Sequence, residues 1–126
     1  MSRVEVVSFG FLHGDPPPAH VVIDLRTHFR DPHVRPELRY MTAEDVEVVR
    51  AVLGTSGIPA VVDGAVAMVH GYLAGPVAAP IVVAVGCAGG RHRAATVAAR
   101  VHQLLRRSGV DASLSHRDLH QPVVNR

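Results

Sequence analysis

The sequence predicts an α/β fold: one layered domain on a mostly parallel sheet of about four strands, with helices on its faces. Three observations carry this. Short β-branched runs alternate with segments whose apolar residues recur at helical spacing, and parallel neighbours need such crossover connections. The run from Ile81 to Val85 is apolar without alternation, as in a strand covered on both faces. It then breaks into Gly86-Cys87-Ala88-Gly89-Gly90 and the basic Arg91-His92-Arg93, the pattern of a strand, a glycine turn and a helix start.

Taken in order, Val4 to Phe9 reads as a buried strand, stopped by Gly10 and the turn-rich His13-Gly14-Asp15-Pro16-Pro17-Pro18. His20 to Leu25 is a second strand that delivers Asp24 and Arg26 to its carboxyl end. Thr42 with Asp45 resembles a capping pattern, and Val46, Val49, Val52 and Leu53 follow at helical spacing, which predicts a helix over Ala43 to Leu53. Gly54 to Pro59 interrupts, and Ala60 to Leu73 is apolar around most of its circumference, as in a helix packed on a sheet. Ile81 to Val85 is the third strand. A helix over Arg91 to Arg107 follows, its stripe made by Ala94, Val97, Ala98, Val101, Leu104 and Leu105, with Gly109 as its end. Val110 to His116 is the last strand.

Composition narrows the function classes. A chain of 126 residues can bury an ordinary core as one domain, residues 1–126, and a 48% hydrophobic, 19% charged composition excludes a disordered chain. No apolar run approaches the roughly 18 residues of a membrane span, and no basic-then-apolar signal opens the chain, so a cytoplasmic protein without membrane contact is expected. Its single cysteine, Cys87, has no partner for an internal disulfide. All 13 Lys-or-Arg positions are arginine, a bias that a GC-rich genome also produces. The net charge of +2 is modest for a nucleic-acid surface and leaves RNA open. Among the nine histidines, His28 and His33 flank Arg30 and Asp31 without a metal-ligating helix or cysteine cluster, so neither metal nor cofactor is expected.

In open parallel sheets ligands bind beyond the carboxyl ends of the strands. Asp24 with Arg26, the loop from Cys87 to Arg93, and the pair His116-Arg117 are expected to converge on that edge. Backbone N–H groups at the start of a helix, together with arginines, attract an anion such as phosphate. His92, inside the loop, is placed to donate to it. The plain alternative is that Gly86, Gly89 and Gly90 make only a tight turn. A sharper one is catalytic: Cys87-x-x-Gly90-x-x-Arg93 fits the cysteine-phosphatase loop, with Cys87 as nucleophile, Arg93 as phosphoryl clamp and Asp31 as general acid. Gly86 and Ala94 stand where that loop commonly has His and Ser or Thr, and a small buried cysteine at a strand end explains Cys87 more simply. A nucleotide P-loop needs a lysine, and the chain has none.

Five ordered blocks resemble the C-terminal domain of the RNase adapter protein RapZ family: Val7-Ser8-Phe9-Gly10-Phe11 with His13-Gly14; Val22-Ile23-Asp24-Leu25-Arg26; Asp31-Pro32-His33 with Pro36-Glu37-Leu38-Arg39; Gly86 to Arg93; and His116-Arg117-Asp118-Leu119. The resemblance covers nearly the whole chain. It implies a regulatory sensor or adapter rather than an enzyme, one that binds an amino-sugar phosphate, glucosamine-6-phosphate, and small regulatory RNA, and that forms homo-oligomers. By motif, Asp24 and His33 contact sugar hydroxyls or amine, and Ala88, Gly89, His92 and Arg93 cradle the phosphate, with Gly90, Arg91 and Cys87 in the same loop. Arg26, His116 and Arg117 are accessory. The family carries a nucleotide-binding label through an N-terminal P-loop ATPase domain, so ATP hydrolysis is not carried over to this sequence. The basic C-terminal cluster that contributes to RNA binding is replaced by Leu119 to Arg126, and Ala88 stands where a threonine is frequent.

Overall fold

The computed structural model describes residues 2–125. Four parallel strands, β1 (Val4–Gly10), β2 (Val21–Asp24), β3 (Ile81–Cys87) and β4 (Ala112–His116), lie in the order β2-β3-β1-β4. The register pairs Val4 with Ile81 and with Ala112, and Val21 with Val83. Three helices, α1 (Val46–Leu53), α2 (Ile58–Leu73) and α3 (Arg93–Arg107), complete the fold. The α/β class expected from the sequence is the one observed.

Alternation decides which face is the core. Val4 and Val6 of β1, Val21 of β2 and Ile81, Val83 and Val85 of β3 share one cluster with Val48 and Val52 of α1, Val62 and Val69 of α2, and Val97, Val101 and Leu105 of α3. Each such side chain contributes about 1.5–3 kcal/mol by leaving water. The helix α3 packs directly on β1, β3 and β4, and α1 and α2 pack against α3. On the other face Ala84 is also fully buried, and beside it Phe9 and Phe11, edge to face at 4.7 Å, fill the space above Gly86. Two rings do here what a helix does on the core face.

Helix boundaries differ from the expected ones for local reasons. The carboxylate of Asp45 accepts the Thr42 N–H at 2.9 Å, which closes a turn over 42–45 and delays α1 to Val46. Pro59 stands in the first turn of α2, where its missing N–H is no loss, so the helix starts at Ile58 rather than Ala60. The preceding Gly57 has φ +92°, with the Phe29 ring 3.1 Å from where a Cβ would lie. At the end of α3 the Val110 N–H returns to the Leu105 carbonyl and Gly109 takes φ +84°, a left-handed cap that moves the start of β4 to Ala112. Among the described residues no single helix is long and apolar enough to cross a membrane.

Candidate functional site

Strand order shapes the edge where the loops meet. The chain leaving β1 must reach β2 beyond β3, and the chain leaving β3 must reach β4 beyond β1, so the two connections cross at the carboxyl edge. They touch backbone to backbone. A Cβ on Gly10 would lie 2.5 Å from the Gly89 carbonyl carbon, and one on Gly90 would lie 2.9 Å from the Gly10 nitrogen. The Leu12 N–H donates to the Ala88 carbonyl at 3.0 Å, and the Gly10 N–H donates to the buried Asp118 carboxylate at 2.7 Å.

The crossing sets the loop from Cys87 to His92 in one shape. Cys87 ends β3 with its sulfur accepting the N–H of Gly90 at 3.3 Å and of Ala94 at 3.4 Å, and only 3% of the residue is exposed. Gly90 needs its φ of +80° to make the turn. The N–H groups of Gly89, Arg91 and His92 have no acceptor among the described residues. The Nε atoms of Arg91 and Arg93 are also buried without a partner among them. The loop therefore collects several donors that meet no acceptor among the described residues.

Arg93 is 2% exposed and opens α3. Its Nη1 donates to the carbonyls of Leu25, Arg26 and Phe29 at 2.8, 3.1 and 3.1 Å, and its Nη2 lies 3.1 Å from the Asp31 carboxylate. It thus pins the segment after β2 to the start of α3. Arg91 works the same way, giving Nη2 to the Tyr40 carbonyl at 2.7 Å and Nη1 to the Gln121 carbonyl at 3.0 Å. The His92 Nε2 is 2.8 Å from the Met41 carbonyl oxygen. Burial pulls its imidazole below the ordinary histidine range, against the Met41 carbonyl and the Asp31 carboxylate, which favour the charged form. His92 is buried beside the loop's donors.

A pocket with only about 10 Å³ of free space is lined by Asp31, His33, Cys87, Gly89, Arg91, His92 and Val124. That is room for about one water. Asp31 accepts the His33 N–H at 3.0 Å, and the His33 carbonyl accepts Arg39 Nε at 2.9 Å, so the turn over Pro32–Val34 is tied down on both sides.

The other residues singled out in the sequence lie nearby at the same edge. Asp24 ends β2, where Arg26 grips it with Nε at 3.0 Å and Nη2 at 2.7 Å. That hydrogen bonding holds the Asp24 carboxyl below the usual carboxylate range despite some desolvation, and Arg93 adds a smaller pull in the same direction. The Arg26 guanidinium also lies 3.6 Å over the Phe11 ring. His116 ends β4 with Nδ1 2.6 Å from the Ser8 hydroxyl, and burial lowers its basicity too. Arg117 reaches Asp118 at 2.9 Å and the carbonyls of Asp15 and Gly10, bracing the β1 connection from the far side. The structure thus brings Asp31, His33 and the loop into one pocket. Asp24 and Arg26 form a separate exposed pair, and His116 and Arg117 stand behind Gly10. Reading the sequence missed the contribution of Val124, which carries no polar signal, and of the Tyr40 and Met41 carbonyls, which any residue type could supply.

Among the described residues no group of three or more His, Cys, Asp and Glu is placed to hold a metal ion.

The family model described as RapZ C-terminal domain matches residues 2–120. Three similar proteins carry the words nucleotide-binding protein. One from Corynebacterium jeikeium is 37% identical over 120 residues, covering 93% of this chain and 41% of that protein. One from Salinispora arenicola is 39% identical over 120 residues, with 93% and 40% covered, and one from Clostridium novyi is 34% identical over 125 residues, with 95% and 42% covered. The chain spans about two fifths of the length of these relatives.

Proposed function

Because this chain belongs to the RapZ C-terminal domain family, we propose that it binds a phosphorylated small molecule at the loop from Cys87 to Arg93, an amino-sugar phosphate of the glucosamine-6-phosphate kind. The bound state then acts as a signal to a partner, small regulatory RNA or a second copy of the chain. The observation that carries the reading is a set of donors on one glycine loop that meet no acceptor among the described residues: the N–H groups of Gly89, Arg91 and His92 and the buried Nε of Arg91. Phosphate oxygens are the acceptors that suit such a set. Asp31 and His33 line the same pocket and bring to it a carboxylate and an imidazole, the groups that suit an amine and hydroxyls. Arg93 serves as a positioning residue that fixes this lining, since its Nη1 is already shared among three carbonyls. The relatives' names describe proteins more than twice this length and supply no nucleotide site here.

A binding role also fits Cys87 better than a nucleophilic one. Attack on phosphorus needs an exposed thiolate facing an arginine fork that is free to grip the phosphoryl oxygens. Cys87 is enclosed by two N–H donors, and the Arg93 fork is turned toward Leu25 and Asp31.

Calorimetry with glucosamine-6-phosphate, glucose 6-phosphate and glucosamine, together with amide NMR, tests the reading. Heat from the phosphorylated sugars, with shifts at Gly89 to His92 and none from glucosamine, is expected. An equal response to glucosamine, or no heat and no loop shifts, overturns it. Turnover of an aryl phosphate that disappears in Cys87→Ser overturns the non-catalytic half.

A further inference from the structure

A second concavity, with a volume of about 440 Å³, lies on the other side of the segment that follows β2. Pro32 lines it, whereas its neighbours Asp31 and His33 line the glycine-loop pocket. The two cavities are therefore separated by one stretch of backbone. We propose that the larger one is a second anion site, which takes the phosphomonoester of a small polyhydroxylated molecule.

His28, Arg30 and Arg35 all line this cavity, and no carboxylate does. Arg35 spends Nε on Glu37 at 2.8 Å, which leaves its Nη donors, and Arg30 has no ion pair among the described residues. Glu37 offsets Arg35 from outside the lining, so the concavity keeps the Arg30 charge and the spare Arg35 Nη donors, planar forks suited to the oxygens of an entering phosphate. The opposite wall is the turn between α1 and α2. There the Thr55 hydroxyl already donates to the Ala51 carbonyl at 2.7 Å, so Ser56 supplies the spare hydroxyl.

Size and lining select the ligand. The volume falls within the range of about 300–1,000 Å³ usual for small-molecule sites. Pro32 and Ala51 give a short apolar wall, and no Phe, Tyr or Trp lines the cavity, so the only rings or planes a nucleobase would meet are the small His28 imidazole and the guanidiniums. A phosphorylated sugar or hydroxy acid fits this chemistry better than a nucleotide.

The experiment is an amide NMR titration of the full chain with glucose 6-phosphate, with inorganic phosphate as a second arm and glucose as control. The amides of Arg30, Arg35, Gly54, Thr55 and Ser56 are expected to shift saturably with both phosphates and not with glucose. Their apparent affinity should fall about tenfold in Arg30→Ala and in Arg35→Ala. Both side chains are exposed, so unchanged melting curves are the control for folding. Shifts confined to Cys87 to Arg93 overturn this proposal and leave the first site standing. Affinity unchanged in both variants overturns it, and so does a response of these amides to an RNA hairpin alone.

Discussion

The Arg93 guanidinium lies 3.1 Å from the Asp31 carboxylate with 3% of its side chain exposed, and the same guanidinium holds the carbonyls of Leu25, Arg26 and Phe29. One side chain at the start of α3 therefore organises the whole connection after β2. The glycine-loop pocket and the basic cavity share that connection as a wall, so the geometry of both depends on this cross-link.

Arg93→Ala should destabilise the fold by about 3 kcal/mol, because it takes the shared donor from three backbone carbonyls and the guanidinium from beside the largely buried Asp31 carboxylate. Arg93→Lys should recover only a minor part, since a single ammonium does not reproduce the fork. Urea unfolding of the three proteins measures this. Equal midpoints for wild type and Arg93→Ala would remove the positioning role.

Much of this was legible in the sequence, and the limits have physical causes. The β-branched run of β3, the glycine turn after it and the apolar stripe of α3 are local patterns, and each marked its element to within a few residues. The edge where the loops gather follows from the parallel sheet. The use of Arg93 was not legible: the spacing of Cys87 and Arg93 describes a phosphate clamp equally well, and only the packing shows that the fork turns inward. The strand order was hidden as well, because Gly10 and Gly89 meet through a crossing of two connections far apart in the chain. Val124, apolar and far along the chain from the loop whose pocket it lines, gave no local sign of its part.

Gly10→Ala is the test of that crossing. Its Cβ would fall 2.5 Å from the Gly89 carbon and 2.6 Å from the Gly89 oxygen, both backbone atoms that have no rotamer to give way. A loss of about 2 kcal/mol or more is expected, in line with overpacking of a tight core. Thermal melting at fixed pH reads it. Gly64→Ala, where nothing lies within 4 Å of the new methyl, should not destabilise and serves as the matched control.

The acid side of the stability curve should carry the signature of His92. Burial holds its folded basicity below the unfolded value, so the unfolded chain binds the extra proton first. The neutral-imidazole contribution is therefore complete above about pH 6.5 and declines as the pH falls below it toward the lower folded value. His116 is depressed by burial in the same sense and adds to the decline. Urea midpoints at pH 7.5 and 5.5 should differ more for wild type than for His92→Asn. A slope that is the same in both proteins assigns the acid sensitivity elsewhere.

The glycine-loop pocket holds about 10 Å³ of free space, and Val124 forms part of its lining, so a hexose phosphate enters only when the segment around Val124 moves aside. That segment is attached upstream by the Arg91 contact to the Gln121 carbonyl and by the buried Asp118 and Leu119. A chain ended after Gln121 keeps those attachments and removes the cover. If the covered state outweighs the open one by about 1.4 kcal/mol, the apparent affinity for glucosamine-6-phosphate should rise about tenfold on truncation, because less of the protein must first be opened. The gain should come mainly from faster association, since the donors of the loop are unchanged. Stopped-flow binding of the two forms separates the rates. Faster dissociation with unchanged association would instead make the segment around Val124 a clamp that retains the ligand.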